Sequence, residues 1–241
     1  MLRLLILIGL ALFSYHSFAK QVVVVSGVTQ EGNIAKGSNV ISVLGGGNIQ
    51  TLTDKLNQID VTNVDAVISF GVAGALDPNL HVGDVVVANS VTDDQGVVYK
   101  ADPIVGRKIV KRLKRWGMKP HVGATIGTAT PRYSSDAKAN LWNQTHAIAV
   151  DMESEGAAQW ASAHGLPFAM LRTISDEQSF SLPTAAAKAM KPDGSVDTNS
   201  IFTSLFTDPS EFGALIKMAF DAFAAFNVLT WAGYAVGLGS L

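Results

Sequence analysis

Apolar and polar positions follow two different patterns along this chain, one typical of strands and one typical of helices. Short, nearly continuous apolar runs predict buried strands at residues 22–25, 40–44, 66–70, 84–88, 97–99 and 121–128. Helical spacing of apolar positions predicts helices at residues 49–59, 107–116 and about 198–226. Because strands and helices alternate without a linker or an internal repeat, the pattern predicts one doubly wound α/β domain over residues 20–241.

Two further apolar runs end abruptly in acidic residues. Residues 166–176 close in Ser175 and Asp176, and residues 147–154 break at Glu153, where an alanine-rich helix begins. A strand, a helix and a second strand form a βαβ unit, so both acids are expected at the carboxyl ends of neighbouring parallel strands. Ligands bind at that rim of an open sheet. Helix capping and the helix dipole account for the same acids structurally, and the spacing alone leaves both interpretations open.

Composition narrows the classes of function. The 241 residues carry a net charge of −2, and only 16% of them are charged, which argues against a nucleic-acid-binding protein. The one basic cluster, at residues 107–115, has the spacing of a solvated helix face. There is no cysteine, and no two of the 5 histidines have helical spacing, so no metal site is expected.

Both ends of the chain are apolar. Residues 1–19 have a basic start, an apolar stretch and a small-residue end, which predicts a secretory signal and a mature periplasmic or exported chain beginning at Lys20. A membrane anchor, or an upstream start codon on a cytoplasmic protein, are the alternatives. Residues 220–241 carry aromatic side chains and almost no charge. They predict a channel wall, a membrane contact or a dimer contact, or else a core helix followed by a loose tail.

Two glycine clusters follow predicted strands. Residues 45–47 lack the spacing of a dinucleotide fingerprint, and no phosphate-loop motif is present, so a strand-to-helix turn is the expected role. Residues 71–74 are predicted to form a loop that lines the rim, where small residues allow a flat ligand close to the backbone.

Blocks of sequence around these features resemble a known superfamily. They are Ser-Phe-Gly-Val-Ala-Gly-Ala-Leu-Asp-Pro at 69–78, Val-Gly-Asp-Val-Val at 82–86, Val-Asp-Met-Glu-Ser at 150–154 and Arg-Thr-Ile-Ser-Asp at 172–176. In order and spacing they are similar to the purine nucleoside phosphorylases, uridine phosphorylases and methylthioadenosine/S-adenosylhomocysteine nucleosidases. Residues 151–154, 164–168 and 190–194 look most like the hopanoid-associated phosphorylase branch. The resemblance covers about residues 21–226 and implies a mixed, largely parallel central sheet.

The resemblance implies cleavage of the N-glycosidic bond of an adenosine-type nucleoside with a modified 5′ group. Asp176 is then the acid at purine N7, protonated by partial burial, and Ser175 either orients it or is a simple turn hydroxyl. Glu153 binds the ribose hydroxyls, and Met152 packs beneath the sugar. Glu31, expected in a loop after the first strand, is the base that activates water.

The remaining expected contacts also follow from the resemblance. Residues expected to border the base or sugar are Val72, Ala73, Gly74, Thr130 and Tyr133. If the enzyme is a phosphorylase, phosphate is its co-substrate, held by Gly27, Thr128 and Arg132. No cofactor is implied. The first loop has no arginine, and Val72 stands where phosphate-binding relatives place a hydroxyl, so water is the favoured nucleophile.

Two other functions stay open. One is phosphorolysis of adenosyl-hopane, a lipid-linked nucleoside, in hopanoid biosynthesis. The other is an exported nucleoside-binding protein without catalysis, which retention of both Asp176 and Glu153 argues against. In each case the expected partners are a small nucleoside and a second copy of the chain in a homodimer.

Overall fold

The fold is taken from a computed structural model that describes residues 20–130, 134–183 and 211–241. The predicted signal at residues 1–19 and the predicted site residues Arg132 and Tyr133 lie outside the described residues, as does most of the loop predicted at 179–198.

The described strands and helices follow the apolar runs in chain order. The strands are β1 (Gln21–Ser26), β2 (Val40–Leu44), β3 (Val64–Ala75), β4 (Val85–Thr92), β5 (Val98–Lys100), β6 (His121–Gly127), β7 (Ala149–Asp151) and β8 (Phe168–Asp176). The helices are α1 (Thr29–Ile34), α2 (Ile49–Leu56), α3 (Pro103–Arg115), α4 (Ser135–Thr145), α5 (Ser154–Ala163) and α6 (Phe212–Val236).

All of these strands belong to one mixed sheet, which partly closes on itself. The hydrogen-bonded order is β2-β1-β3-β7-β6-β4-β5, and β8 pairs with both β3 and β4. Strands β3, β8, β4, β6 and β7 therefore form a closed ring. Most pairs are parallel, and the antiparallel ones are β3–β7, β4–β5 and β4–β8. The predicted α/β class with a mixed, largely parallel sheet is confirmed, and the ring closure adds to it.

The expectation that β7 and β8 are neighbouring parallel strands is wrong. Strand β3 lies between them and runs antiparallel to β7 but parallel to β8. The two strand ends nevertheless meet, because Gly74 of β3 pairs with Val150 on one side and with Asp176 on the other. The acids come together through a shared neighbour and not through a βαβ crossover.

Several local predictions also need correction. Glu31 lies on α1 and not in a loop, since a helix of six residues is too short to show a period. Residues 71–75 continue β3, where pairing with β7 and β8 keeps them extended. Helix α4 was not predicted from the sequence. Helix α6 extends to Val236, so there is no loose tail after residue 226.

The core has two layers because successive residues of a strand point to opposite faces of the sheet. On one face Val24, Ile68 and Leu171 pack with residues of α3 and α6, including Leu229. On the other face the neighbouring strand residues pack with α2 and α5. Helices thus cover both faces, and the open ends of the strands remain for a site.

We expect Leu229→Ala, which deletes a fully buried side chain of α6, to lower the free energy of unfolding by about 2–5 kcal/mol. The matched change Phe223→Ala, on the exposed face of the same helix, should change it by less than about 0.5 kcal/mol. Denaturant unfolding of both variants measures this. Equal losses would contradict the orientation of α6.

Candidate active site

A cavity of about 550 Å³ lies at the carboxyl ends of β3 and β8, beneath α6. Its lining residues are Val28, Thr29, Gln30, Val72, Ser175, Asp176, Leu182, Met218, Ala222 and Phe226. The carboxylate and the hydroxyls lie on α1 and β8, whereas α6 contributes only apolar side chains. The cavity therefore has a polar side and an apolar side, as expected for a ligand with both characters.

Asp176 forms the acidic part of the cavity wall. Its Oδ2 accepts a hydrogen bond from Lys138 Nζ at 2.5 Å, and its Oδ1 accepts one from Ser175 Oγ at 2.9 Å. The absence of a side chain at Gly74 makes room for it, because a Cβ there would lie 3.0 Å from Oδ2. The orientation of this carboxylate is fixed by its place at the end of β8, by the Ser175 hydroxyl and by the Lys138 ammonium.

Lys138 is a site residue that sequence reasoning missed. Its side chain is buried, and its ammonium also donates to the carbonyl oxygens of Glu177 at 2.9 Å and Phe180 at 2.8 Å. An ammonium with three acceptors is fully satisfied, which is the condition for burying a charge. It lies on α4, whose weakly amphipathic sequence gave no signal of a buried cation.

Arg172, in the middle of β8, is the second buried cation. Its Nη2 donates to Asp151 Oδ1 at 2.9 Å and to Ser69 Oγ at 2.6 Å, and lies 3.5 Å from Glu153 Oε2. Its Nη1 donates to the Val72 carbonyl at 3.2 Å. The only sequence signal was an arginine inside an otherwise apolar strand, which must be paired when buried.

Glu31 is held by backbone amides. Its Oε2 accepts from the amides of Gly27 at 2.7 Å and Val28 at 3.0 Å, and its Oε1 accepts from the Val72 amide at 2.7 Å. Val28 and Val72 line the cavity, so this carboxylate lies directly behind the cavity wall.

Glu153 lies beside Glu31, enclosed by glycines. A Cβ at Gly27 would be 2.7 Å from Glu153 Oε1, and one at Gly45 would be 3.0 Å from its Cγ. The Gly47 amide donates to the carboxylate. The turn at residues 45–47 is thus more than a connection to α2, because it surrounds an acidic side chain. Asp151, and not Glu153, accepts the amides at the start of α5.

Burial raises the proton affinity of these carboxylates. Desolvation raises the pKa of Glu153 to about 7, against the lowering effect of Arg172, and the nearby Asp151 and Glu31 raise it further. Desolvation also raises the pKa of Glu31, although Arg172 and the amide hydrogen bonds act against it. One guanidinium does not neutralise three carboxylates, so the cluster readily takes up a proton.

Only some of the remaining residues predicted to contact the substrate lie at the cavity. Val72 lines the cavity and Gly74 borders Asp176, but the Ala73 side chain packs in the core with Ala75 and Ile174, because strand residues alternate between faces. Met152 is half-buried and is not among the residues that line the cavity.

Two of the predicted phosphate donors, Gly27 and Thr128, are already hydrogen-bonded to carboxylates. The Gly27 amide donates to Glu31, and the Thr128 hydroxyl donates to Asp94 Oδ2 at 3.0 Å. The Ala129 amide donates to the same Asp94 oxygen at 2.9 Å. Thr130, exposed, bonds to Thr128 and does not line the cavity. Within the described residues these groups do not assemble into an anion site.

Nothing in the described ranges points to a metal site, since no three histidine or acidic side chains there are grouped to hold an ion. A larger cavity of about 870 Å³ lies between α3 and strands β4 and β6. Its one acid, Asp102, caps α3 by accepting the amides of Ile104 and Val105. The smaller cavity, in contrast, has in its wall a carboxylate that does not cap a helix, Asp176.

Comparison with known proteins shows the family and the fold. The model of the phosphorylase superfamily matches residues 10–199. A 5′-methylthioadenosine/S-adenosylhomocysteine nucleosidase of Staphylococcus epidermidis is 27% identical over 154 residues, covering 57% of this chain and 68% of the relative. A DeoD-type purine nucleoside phosphorylase of Caldanaerobacter subterraneus is 26% identical over 165 residues, covering 63% of this chain and 70% of the relative.

A solved structure shares the fold. The 5′-methylthioadenosine/S-adenosylhomocysteine nucleosidase of Neisseria meningitidis, in complex with methylthio-immucillin-A, superposes with a TM-score of 0.62. It is 19% identical, and the match covers 90% of this chain and 99% of that one.

The close packing of Glu31 and Arg172 around Gly71 can be tested by adding one methyl group. A Cβ at Gly71 would lie 2.4 Å from Glu31 Oε1 and 2.5 Å from Arg172 Nη1, so Gly71→Ala should lower the free energy of unfolding by about 1–3 kcal/mol. In α3, Gly106 has no atom within 4 Å of such a Cβ, and Gly106→Ala should raise stability by about 0.5–1 kcal/mol. Thermal and denaturant unfolding report both. A neutral Gly71→Ala would contradict the close approach of these charges.

Proposed function

The chain belongs to the phosphorylase superfamily, and we propose that it hydrolyses the N-glycosidic bond of an adenosine-type nucleoside with a modified 5′ group. The observation that carries the proposal is the placement of carboxylates around one cavity. Asp176 lies on the wall against a buried ammonium, and Glu31 lies behind the part of the wall formed by Val28 and Val72, with Glu153 beside it.

Cleavage of this bond passes through a sugar with oxocarbenium character, so the departing base needs a proton and the sugar needs negative charge nearby. The buried carboxylates supply that charge. The sequence predicts that burial alone keeps Asp176 protonated, but Lys138 lies against it as a cation. We therefore assign the acid role to the Lys138–Asp176 pair: the proton passes from Lys138 through Asp176 to purine N7.

The sugar is held by Glu153. A carboxylate with two oxygens can accept hydrogen bonds from both the 2′ and the 3′ hydroxyl of the ribose. These hydrogen bonds replace those to water that the carboxylate loses on burial. Met152, the residue before Glu153, is proposed to pack beneath the ribose. Loss of either hydroxyl would leave a buried carboxylate oxygen short of a donor.

Water is the proposed nucleophile, and Glu31 is its base. The amides of Gly27, Val28 and Val72 fix the Glu31 carboxylate, and burial raises its pKa, which makes it a stronger base than an exposed glutamate. Phosphate is disfavoured because the described donors proposed for it are hydrogen-bonded to acids, and those acids would repel a dianion. No cofactor is required for these steps.

The 5′ group is proposed to lie against α6. Met218, Ala222 and Phe226 form an apolar wall that offers no partner to a charged or strongly polar substituent. A thioether fits this chemistry, and so does a large hydrocarbon group such as that of adenosyl-hopane. The apolar wall is the observation that favours the lipid-linked substrate as the second candidate.

The test of the proposal is release of free base by the purified protein from a panel of nucleosides. Methylthioadenosine and other adenosines with apolar 5′ groups should be cleaved, 2′-deoxy forms poorly, and Asp176→Asn should lower kcat by about 10²–10⁴-fold with the fold retained. Asp54→Asn, an exposed carboxylate on α2, is the matched control and should be unchanged. No base release from any member, or full activity of Asp176→Asn, would reject the proposal.

A pH profile tests the state of the sugar-binding acid. Because the pKa of Glu153 is raised to about 7, its carboxylate is lost as pH falls through that value, earlier than for an ordinary glutamate. We expect kcat/KM to fall about tenfold per pH unit below about 7 and to level off above it. A plateau extending down to the usual carboxylate range would contradict the assignment.

A further inference from the structure

We propose that the outer face of α6, together with the exposed side of α3, docks the protein onto the surface of an anionic lipid bilayer. This docking face is separate from the residues that line the cavity of about 550 Å³. Four of its cations, Arg107, Lys111, Lys114 and Arg115, also border the cavity of about 870 Å³ beside α3. The docking does not depend on the proposed reaction.

Large apolar side chains form an exposed stripe along α6. These residues, here called the aromatic stripe, are Phe212, Ile216, Phe220, Phe223, Trp231 and Tyr234. Their spacing of three, four and eight residues places them on one side of the helix. Their exposed fractions run from 42% at Ile216 to 72% at Phe220, which is unusual for so many large apolar residues in one patch.

The opposite side of α6 fixes how the helix can meet a membrane. Helix α6 is long and apolar enough to cross a bilayer by length and composition alone. However, Leu215, Ala225 and Leu229 are buried, and Leu229 packs in the core layer that contains strands of the sheet. A helix attached to the protein along one face has only its outer face free. It can lie in the plane of the interface but cannot span it without unfolding the core.

Helix α3 lies along the C-terminal half of α6 and extends the docking face. The Arg112 side chain bonds to the Val236 carbonyl and donates to the Ser240 carbonyl at 3.0 Å. Trp116, which directly follows α3, lies 6.3 Å from Trp231 between ring centroids, and Trp231 lies 6.4 Å from Tyr234. Exposed tryptophan and tyrosine side chains are typical of the headgroup level of a bilayer.

The segment around α3 is strongly basic. Residues 103–119 contain 7 cations and no acid, although the chain as a whole has a net charge of −2. Five of the cations form an exposed row, here called the basic ridge: Arg107, Lys108, Lys111, Lys114 and Arg115. A basic row beside an aromatic stripe is complementary to anionic headgroups above acyl chains.

An anionic bilayer satisfies both parts of this face at once. A second copy of the chain would bury the aromatic stripe, but neither its stripe nor its basic ridge contains an acid to pair with the ridge. A nucleic acid or a small charged ligand could pair with the ridge, but either would leave the aromatic stripe in water. The lipid surface is therefore the occupant that the charges and the aromatic residues favour together.

Docking in this orientation has a consequence for the cavity, which does rest on the proposed function. Met218, Ala222 and Phe226 line the cavity from the inner side of the same helix whose outer side faces the lipid. A nucleoside with a lipid group at 5′ would then reach the cavity from the bilayer past α6.

The test is flotation of the purified full chain with vesicles of phosphatidylcholine, and of phosphatidylcholine mixed with phosphatidylglycerol. A ridge variant, Lys111→Glu with Lys114→Glu, has the control Lys20→Glu with Lys36→Glu, which makes the same charge change elsewhere on the surface. A stripe variant, Phe223→Ser with Trp231→Ser, has the control Val97→Ser with Val98→Ser, two exposed apolar residues away from α6. Residues 1–19 are unchanged in all of them.

We expect binding to the anionic vesicles, and a loss of at least about tenfold in affinity in the ridge variant, from about 1 kcal/mol for each cation near the surface. The stripe variant should also lose binding, while both controls bind as wild type. Base release from a soluble nucleoside and the thermal unfolding midpoint should be retained in the ridge variant, which changes only exposed side chains.

Three outcomes would overturn the proposal. The first is wild-type flotation by both variants, and the second is equal binding to neutral and anionic vesicles. The third is failure of the wild type to float with the anionic vesicles. If the stripe variant then converts a solution dimer to a monomer, the face belongs to a second copy.

Discussion

The buried guanidinium of Arg172 is the constraint on which the site depends. A cation in the middle of a buried strand is tolerated only when its partners are close and fixed. Asp151, at the end of β7, and Ser69, on β3, supply those partners, so Arg172 connects three strands of the closed ring. The same requirement keeps Gly71 free of a side chain and brings Glu31 and Glu153 to one place. Packing of the core and placement of the acids are therefore parts of one arrangement.

The two buried cations give the cavity an uneven charge. Near Arg172, three carboxylates share one cation, and burial leaves Glu31 and Glu153 with raised pKa values. Near Lys138, one carboxylate faces one ammonium, so their opposite charges offset each other. In the proposed reaction the negative side faces a sugar that becomes positive, and the neutral pair faces a base that needs a proton. Each region matches the charge that develops next to it.

The sequence allowed the α/β class and the strand ends to be predicted because both are local. Apolar runs mark strands, and acids that end such runs, as at Glu153 and Asp176, are visible without a structure. Ring closure was not predictable, since pairing of β8 with both β3 and β4 joins residues far apart in the chain. Lys138 was missed because it lies on a helix without a clear apolar face, and its burial depends on acceptors from Asp176 to Phe180. Arg172 is visible in the sequence as a charge within an apolar strand, but the sequence does not show which residues pair with it.

The central claim, that Glu31 directs water to the sugar, is tested most directly by the origin of the oxygen on the released sugar. Turnover in ¹⁸O-labelled water, with phosphate present and the sugar trapped at once by reduction, should place the label at C1 in proportion to the base released. Glu31→Gln should abolish that labelling while substrate binding remains. Formation of unlabelled sugar 1-phosphate, with no turnover when phosphate is omitted, would contradict the account.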